Sequence, residues 1–364
     1  MNRNQGVMSN PADELSKYEY LDSIEGVQPY TGRDVEPWAD KIKAVTPGVL
    51  VCGAVALAAT FISQHYEAPV MLLCLLLGMV FHFMSQEGPT RRGVHFTSQT
   101  ILRVGVALIG ARIMLSDFTA LGFGTLSLVV LATGGIIVTG VILARLLRLD
   151  REQGLLIGGA TAICGASAAL ALSAVMPPSK TLEKNTLIAV VGVTAMGTMS
   201  MVFYPVIIGF LGFADYEAGM LIGGTIHDVS QVVGAGYSIS EEAGDQAIII
   251  KLIRVFMLVP VLFLFALGFS KRSGEDAAPR RFIFPFFLIG FLVLVGGNSL
   301  HLIPDQVSGL LQNSSKWLLV MAITAVGMKT SLKVMFSLGW RPIFLILVET
   351  LVLAGVYFAA LSIM

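Results

Sequence analysis

His227, Asp228, Ser230 and Gln231 fall within one five-residue stretch of an otherwise apolar, glycine-rich run, GGTIHDVSQVVGAG at 223–236. An ionised carboxylate in hydrocarbon is costly unless it is paired, so Asp228 must have a task. Two tasks fit. Asp228 and Gln231 have the spacing of an N-cap and its N3 partner; equally, Asp228 beside an imidazole that titrates near neutrality suits a coupling site for a proton or a sodium ion. One residue could do both, and a lone histidine points to no metal. A second run, GGATAICGASA at 158–168, carries Thr161, Cys164, Gly165 and Ser167. A helix starting near Cys164–Ser167 would present backbone N–H groups and a positive dipole end, which is how helix starts hold anions. The competing reading is packing: Gly154/Gly158 and Gly219/Gly223 have the GxxxG spacing that lets helices approach closely.

Lys251 and Arg254 stand at i and i+3 in the apolar run 246–269, on one helix face. Either they snorkel to the interface, or they face a cavity and supply charge to an anion or a partner to Asp228. Arg103 raises the same question, Arg112 and Lys329 are expected to end their helices near the interface, and Glu349 reads as a buried structural acid.

These groups must be held by membrane helices. The chain has 364 residues, 55% hydrophobic and 13% charged, with a mean hydropathy of +0.79; a soluble domain carries about 25% charged residues. The composition predicts an all-α polytopic membrane protein. A span needs roughly 20 apolar residues, and eleven segments approach that: 47–64, 68–84, 94–112, 118–146, 152–176, 184–211, 217–238, 246–269, 282–299, 317–332 and 341–363. Residues 1–46 read as a polar cytoplasmic tail and 47–364 as the transmembrane domain. The net charge is zero and no basic block is dense enough to follow a phosphate backbone, which argues against nucleic acid. Cys52, Cys74 and Cys164 lie in apolar runs, as small hydrophobes do.

Glycine weakens a helix by about 1 kcal/mol per residue, so both glycine-rich runs are expected to break. If both dip in and return to the same face, the inner loops hold sixteen Lys and Arg residues and the outer loops only Arg112 and Lys316, as the positive-inside rule requires. The N-terminus is then inside and the C-terminus outside. If both cross instead, Lys180 and Lys184 move outside and the rule is met less well. DREQGLLIGG at 150–159 and DYEAGMLIGG at 215–224 share seven of ten positions, each leading into a break. A weaker echo joins 102–122 to 319–339. If both segments re-enter, an odd number of crossings separates the paired elements and each pair would be inverted; inverted repeats with broken helices mark secondary transporters.

The strings GGATAICGASA and IHDVSQVVGAG, followed by IIIKLIRV with Lys251 and Arg254, resemble the bacterial YeiH-type family of membrane proteins, commonly described as sulfate exporters. The resemblance covers roughly residues 47–364; the acidic tail lies outside it. The family is grouped with the cation/proton antiporter and anion transporter superfamily, which implies inverted repeats, a panel-like scaffold, a mobile core with broken helices, a homodimer and an inner-membrane location. It also implies a substrate site carried by Thr161, Cys164, Gly165 and Ser167 in one break and Ser230 and Gln231 in the other, with Lys251 and Arg254 nearby and His227 and Asp228 as the coupling pair. The paired acidic residues of the sodium/proton antiporters are missing here, which argues against simple cation exchange.

The expected function is therefore secondary active transport of a small anion of the sulfate, sulfite or organic sulfonate class, with cation/proton antiport centred on Asp228 as the alternative. No GxxxxGK[ST] loop is present, so gradients of Na+ or H+ would supply the energy and no other cofactor is expected. An intramembrane enzyme is a remote alternative, because HExxH and GxSxG are both absent.

Overall fold

The computed structural model describes residues 38–177, 179–270, 286–330 and 339–363. Most of the acidic tail, the polar stretch 271–281 between two of the predicted spans, and the start of the predicted segment 282–299 lie outside them. The weaker repeat echo leaves the described residues at 331.

Among the described residues the chain is helical and has no strand. The helices are α1 (Trp38–Tyr66), α2 (Val70–Val80), α3 (Phe83–Gln86), α4 (Arg91–Phe96), a π-helical turn (Thr97–Ile101), α5 (Leu102–Ile109), α6 (Leu115–Ala120), α7 (Gly122–Leu146), α8 (Arg151–Ala162), α9 (Ala166–Val175), α10 (Lys180–Leu211), α11 (Asp215–Thr225), α12 (Val229–Gly236), α13 (Glu241–Phe256), α14 (Leu258–Ser270), α15 (Phe286–Ser299), α16 (Asp305–Lys329) and α17 (Trp340–Leu361). Among the described residues, five stretches are long and apolar enough to cross a membrane: Ala39–Tyr66, Gly122–Leu146, Thr181–Leu211, Glu241–Phe269 and Trp340–Leu361. All three cysteines are free and buried, as their apolar surroundings predict.

Both glycine-rich runs break, and each folds back into a hairpin. In the first, a Cβ added to Gly159 of α8 would run into the side chain of Leu172 of α9. On a straight helix these two residues would stand about 20 Å apart. In the second, the Ala243 carbonyl of α13 lies against both Gly219, near the start of α11, and Gly236, at the end of α12. The hairpin therefore ends at the level where it began.

The 32-residue helix α10 shows how the hairpins are placed. It starts beside the end of α9, where Ser179 Oγ accepts from Leu182 N at 3.0 Å. Halfway along, Thr194 and Thr198 receive the Gln231 side chain from the tip of the second hairpin. It stops at Gly212, whose left-handed φ of +68° releases the chain into α11. The hairpins thus open at opposite ends of α10, and their tips meet in the middle: a Cβ on Gly165 would lie 3.6 Å from the His227 carbonyl carbon. The two copies of the ten-residue repeat form the first arms, α8 and α11.

The paired glycines serve packing as well. Gly154 sits against Gly140 and Ala144 of α7, and Gly219 and Gly223 sit against Gln246 and Ala247 of α13. The glycines at GxxxG spacing thus pack the arms, as the packing reading predicts, while Gly165 turns the first tip. Around the hairpins stand α7, α10, α13 and α17, whereas α16 packs with α2, α5 and the π-helical turn. The second hairpin arm, α12, lies against α16 and α2 and joins the two groups.

Candidate functional site: the meeting point of two hairpin tips

A helix leaves its last four carbonyls without intrahelical donors, and at membrane depth no bulk water replaces them. Here α8 and α11 both end in the protein interior, and Lys251 and Arg254 answer that need. Lys251 Nζ donates to the carbonyls of Ile163 at 2.7 Å, Ile226 at 2.9 Å and His227 at 2.5 Å. Arg254 donates through Nε to Ala162 at 2.9 Å, through Nη2 to Thr161 at 2.8 Å, and through Nη1 to Gly224 at 2.7 Å, with Gly223 and Ile226 at 3.1 Å. Backbone turns take the remaining carbonyls of the first arm: Gly159 O accepts from Ile163 N and Ala160 O from Gly165 N. Two cations thus terminate two helices, at the ends where the dipole is negative.

This assigns Lys251 and Arg254 a task the spacing alone leaves open. They are 0% and 1% exposed, so they do not snorkel. All three Lys251 N–H groups point at backbone carbonyls, so its contribution to an anion is long-range charge rather than a hydrogen bond. Neither makes an ion pair with Asp228.

Asp228 caps α12 as its spacing predicts. Its Oδ1 accepts from Ser230 N at 2.8 Å and from Ser230 Oγ at 2.5 Å, and Gln231 Oε1 accepts from Asp228 N at 3.3 Å. Gln231 Nε2 donates to Thr194 O at 2.9 Å and Thr198 Oγ1 at 3.1 Å, tying the cap to α10. His227 is fully buried, and its Nε2 lies 2.9 Å from Thr350 Oγ1 of α17. Gly165 takes φ +65° and ψ −127° at the first tip, a conformation that side chains strain against. Cys164 is buried beside it, and Thr161 is buried one turn earlier.

The carbonyl side of the tips is closed, and the opposite side is open. Ala166, Ser167, Asp228 and Val229, all at the N-terminal ends of α9 and α12, are partly accessible. Arg103 and Lys329 come to this side from α5 and α16, and the Asp228 charge acts on both. Lys329 ends its helix, as its position predicts, and is partly buried.

The other cation predicted at a helix end, Arg112, lies at the open end of the second hairpin. It pairs with Asp245, donating through Nε at 3.1 Å, and its Nη2 donates to Tyr237 Oη at 3.1 Å. Lys316 pairs with Glu241 at 3.3 Å at the same end. A cavity of about 440 Å³ opens there among Arg112, Asp117, Glu241, Glu242 and Asp245, too acidic a lining to suit an anion.

Sequence reading did not single out Thr194, Thr198 or Thr350, which position Gln231 and His227. Their only signal is a hydroxyl inside an apolar span, and helices bond many hydroxyls internally, as Thr350 also does to Ile346 O at 2.8 Å.

The architecture defines a helical membrane protein with two opposed hairpins whose tips meet in its interior. A family model described as Conserved hypothetical protein 698 matches residues 47–346. Similar proteins include the UPF0324 membrane protein CT0845 of Chlorobaculum tepidum, 47% identical over 310 residues, 85% of this chain and 87% of the relative. The UPF0324 membrane protein TauZ of Paracoccus denitrificans is 48% identical over 316 residues, 86% of this chain and 94% of the relative. The UPF0324 membrane protein RB0971 of Rhizobium meliloti is 44% identical over 319 residues, 86% and 92% of the two chains. The chain belongs to this UPF0324 family of membrane proteins.

Proposed function

We propose that the protein is a secondary active transporter of a small anion of the sulfate, sulfite or organic sulfonate class, bound on the open side of the hairpin tips. The charge balance at the tips carries the reading. Two helix starts and two helix ends meet there, so their partial charges of about ±0.5 offset one another. What remains is Lys251 and Arg254 against Asp228, with Arg103 and Lys329 close enough to feel the Asp228 field. With the buried Glu349 protonated, Lys251 and Arg254 outnumber Asp228, and that positive excess is costly at membrane depth; an anion would compensate it.

The arrangement also suits alternating access. Opposed hairpins built on copies of one sequence fit an inverted repeat, with the hairpins and their flanking helices as the moving core and the group around α16 as the scaffold. Arg103 and Lys329 then reach the substrate from the scaffold side, while Ser167 and the N-terminal turns of α9 and α12 meet it from the core.

Binding is tested by isothermal calorimetry with sulfate, sulfite and taurine on wild-type protein and on Arg103→Met and Lys329→Met. A charge-assisted hydrogen bond contributes about 1.5–3 kcal/mol, so each variant should weaken binding by about tenfold or more. Unchanged affinities in both variants would move the anion away from the tips. A wild-type protein that responds only to sodium or pH would favour cation exchange at Asp228.

A further inference from the structure

Behind the tips, the interior holds several polar atoms with no hydrogen-bond partner: both carboxyl oxygens of Glu349, the hydroxyl of Thr161 and Nδ1 of His227. All three residues are 0% exposed. They come from three elements that converge here, the last helix α17 and one tip from each hairpin. The Thr161 hydroxyl faces the Glu349 carboxyl without completing a hydrogen bond to it. Next along α17, Thr350 Oγ1 lies within hydrogen-bond distance of both Ile346 O, at 2.8 Å, and His227 Nε2, at 2.9 Å. His227 Nδ1 has no hydrogen-bond partner, and the ring lies against the Thr161 backbone. Gly140 makes room for the carboxyl, since a Cβ there would strike Glu349 Oε1.

The helices packed against α17 are α7, α8, α10 and α11. Apart from Tyr204 on α10, their charged and titratable residues stand in terminal turns, away from the tips. The remaining titratable groups near this point are His227, Cys164, Tyr357 of α17, and Lys251 and Arg254 of α13. The N–H groups of both cations are directed at backbone carbonyls, and neither reaches the Glu349 carboxyl, whose oxygens have no hydrogen-bond partner. A carboxylate in this setting would be a buried, unpaired anion, which proteins avoid by taking up a proton.

We propose that Glu349, with Thr161 and His227, is the proton-binding site of the transporter. In the closed arrangement seen here Glu349 holds its proton as the neutral acid. When the tips move and water reaches the pocket, the O–H bond breaks heterolytically, the proton leaves to that water, and the carboxylate is stabilised by hydration until the pocket closes again. One proton is taken from water on one side and released on the other in each cycle. The coupling role thus lies with Glu349 rather than with Asp228, whose Oδ1 is occupied by its cap. The coupling half of this inference rests on the transport reading above; the protonation half does not.

The experiment has two arms. Infrared spectroscopy of the purified protein at neutral pH should show the carbonyl stretch of a buried protonated carboxylic acid. Glu349→Gln should lose that band and Glu349→Asp should shift it, which keeps the assignment decidable if one variant folds poorly. A band unchanged in both variants, or no such band in the wild type, would overturn the site. In proteoliposomes loaded with sulfate, sulfite or taurine, a pH gradient should drive wild-type movement of the anion at least several-fold above the rate without a gradient. Glu349→Gln should fall to the ungraded rate. A full response to the gradient in that variant, or a wild-type response to sodium alone, would overturn the coupling role. No movement of any of the three anions, with the infrared band present, would count against the transport reading and leave Glu349 protonated.

Discussion

Lys251 shows how a residue's task follows from where backbone groups are left without partners. Charged side chains in apolar spans are commonly read as ligand contacts or interface anchors, yet this one closes the ends of α8 and α11. Lys251→Met would leave the buried carbonyls of Ile163 and His227 without a donor and that of Ile226 with Arg254 Nη1 alone, and each orphan costs about 1–3 kcal/mol. The expected outcome is a large loss of thermal stability in detergent, present with and without added anion. A variant that keeps the wild-type melting temperature and loses only ligand affinity would show that the amine serves the substrate instead. His227, Asp228, Ser230 and Gln231 were legible as a group because four polar residues in an apolar run stand out. Arg103, Lys329 and the threonines that hold Gln231 and His227 were less legible, because they come from helices far away in sequence.

At the scale of elements, α12 exists as a separate helix because Asp228 starts it. Its capping box satisfies N–H groups that would otherwise be orphaned at the turn. Asn caps as well as Asp, whereas Ala costs about 1 kcal/mol. Asp228→Asn should therefore melt within a degree or two of the wild type and Asp228→Ala several degrees lower, with the response of transport to a pH gradient kept in the Asn variant. Loss of that response in Asp228→Asn, with stability intact, would return the coupling role to this carboxylate. The breaks themselves were foreseeable from glycine density. That each break becomes a hairpin was not, because the fold-back depends on Gly159 meeting Leu172 and on α13 lining both arms of the second hairpin.

For the whole molecule, charge is divided between two ends. Arg112 and Lys316, the cations assigned to outer loops, pair with Asp245 and Glu241 where the second hairpin opens. Arg145, Arg148, Arg151 and Lys184 stand at or beside the termini of α7, α8 and α10, where the first hairpin opens. By the positive-inside rule we propose that the first hairpin opens towards the cytoplasm. Single cysteines at the exposed positions Thr181 and Glu242, in a background without native cysteine, should react with an impermeant maleimide from opposite faces. Gly244 is unsuited to this purpose, because a side chain there would strike the Tyr237 ring. Labelling of both positions from outside would mean that the two segments cross, against the hairpin arrangement.

Composition and hydropathy were sufficient for the membrane setting and the helical class, since both follow from summing residue preferences along the chain. The two broken segments and the repeat were equally plain, because glycine density and self-similarity are local properties of the string. Only the tertiary structure decided that Lys251 and Arg254 serve backbone carbonyls, that Arg103 and Lys329 share the field of Asp228, and that Glu349 stands unpartnered beside Thr161. Those outcomes depend on which carbonyls, charges and cavities meet across stretches of sequence that run from 24 residues, for Lys251 and His227, to more than a hundred, for Arg103 and Asp228 or Thr161 and Glu349. Hydrogen bonds and burial are satisfied in space, so a side chain's partner is fixed by packing that no local pattern encodes.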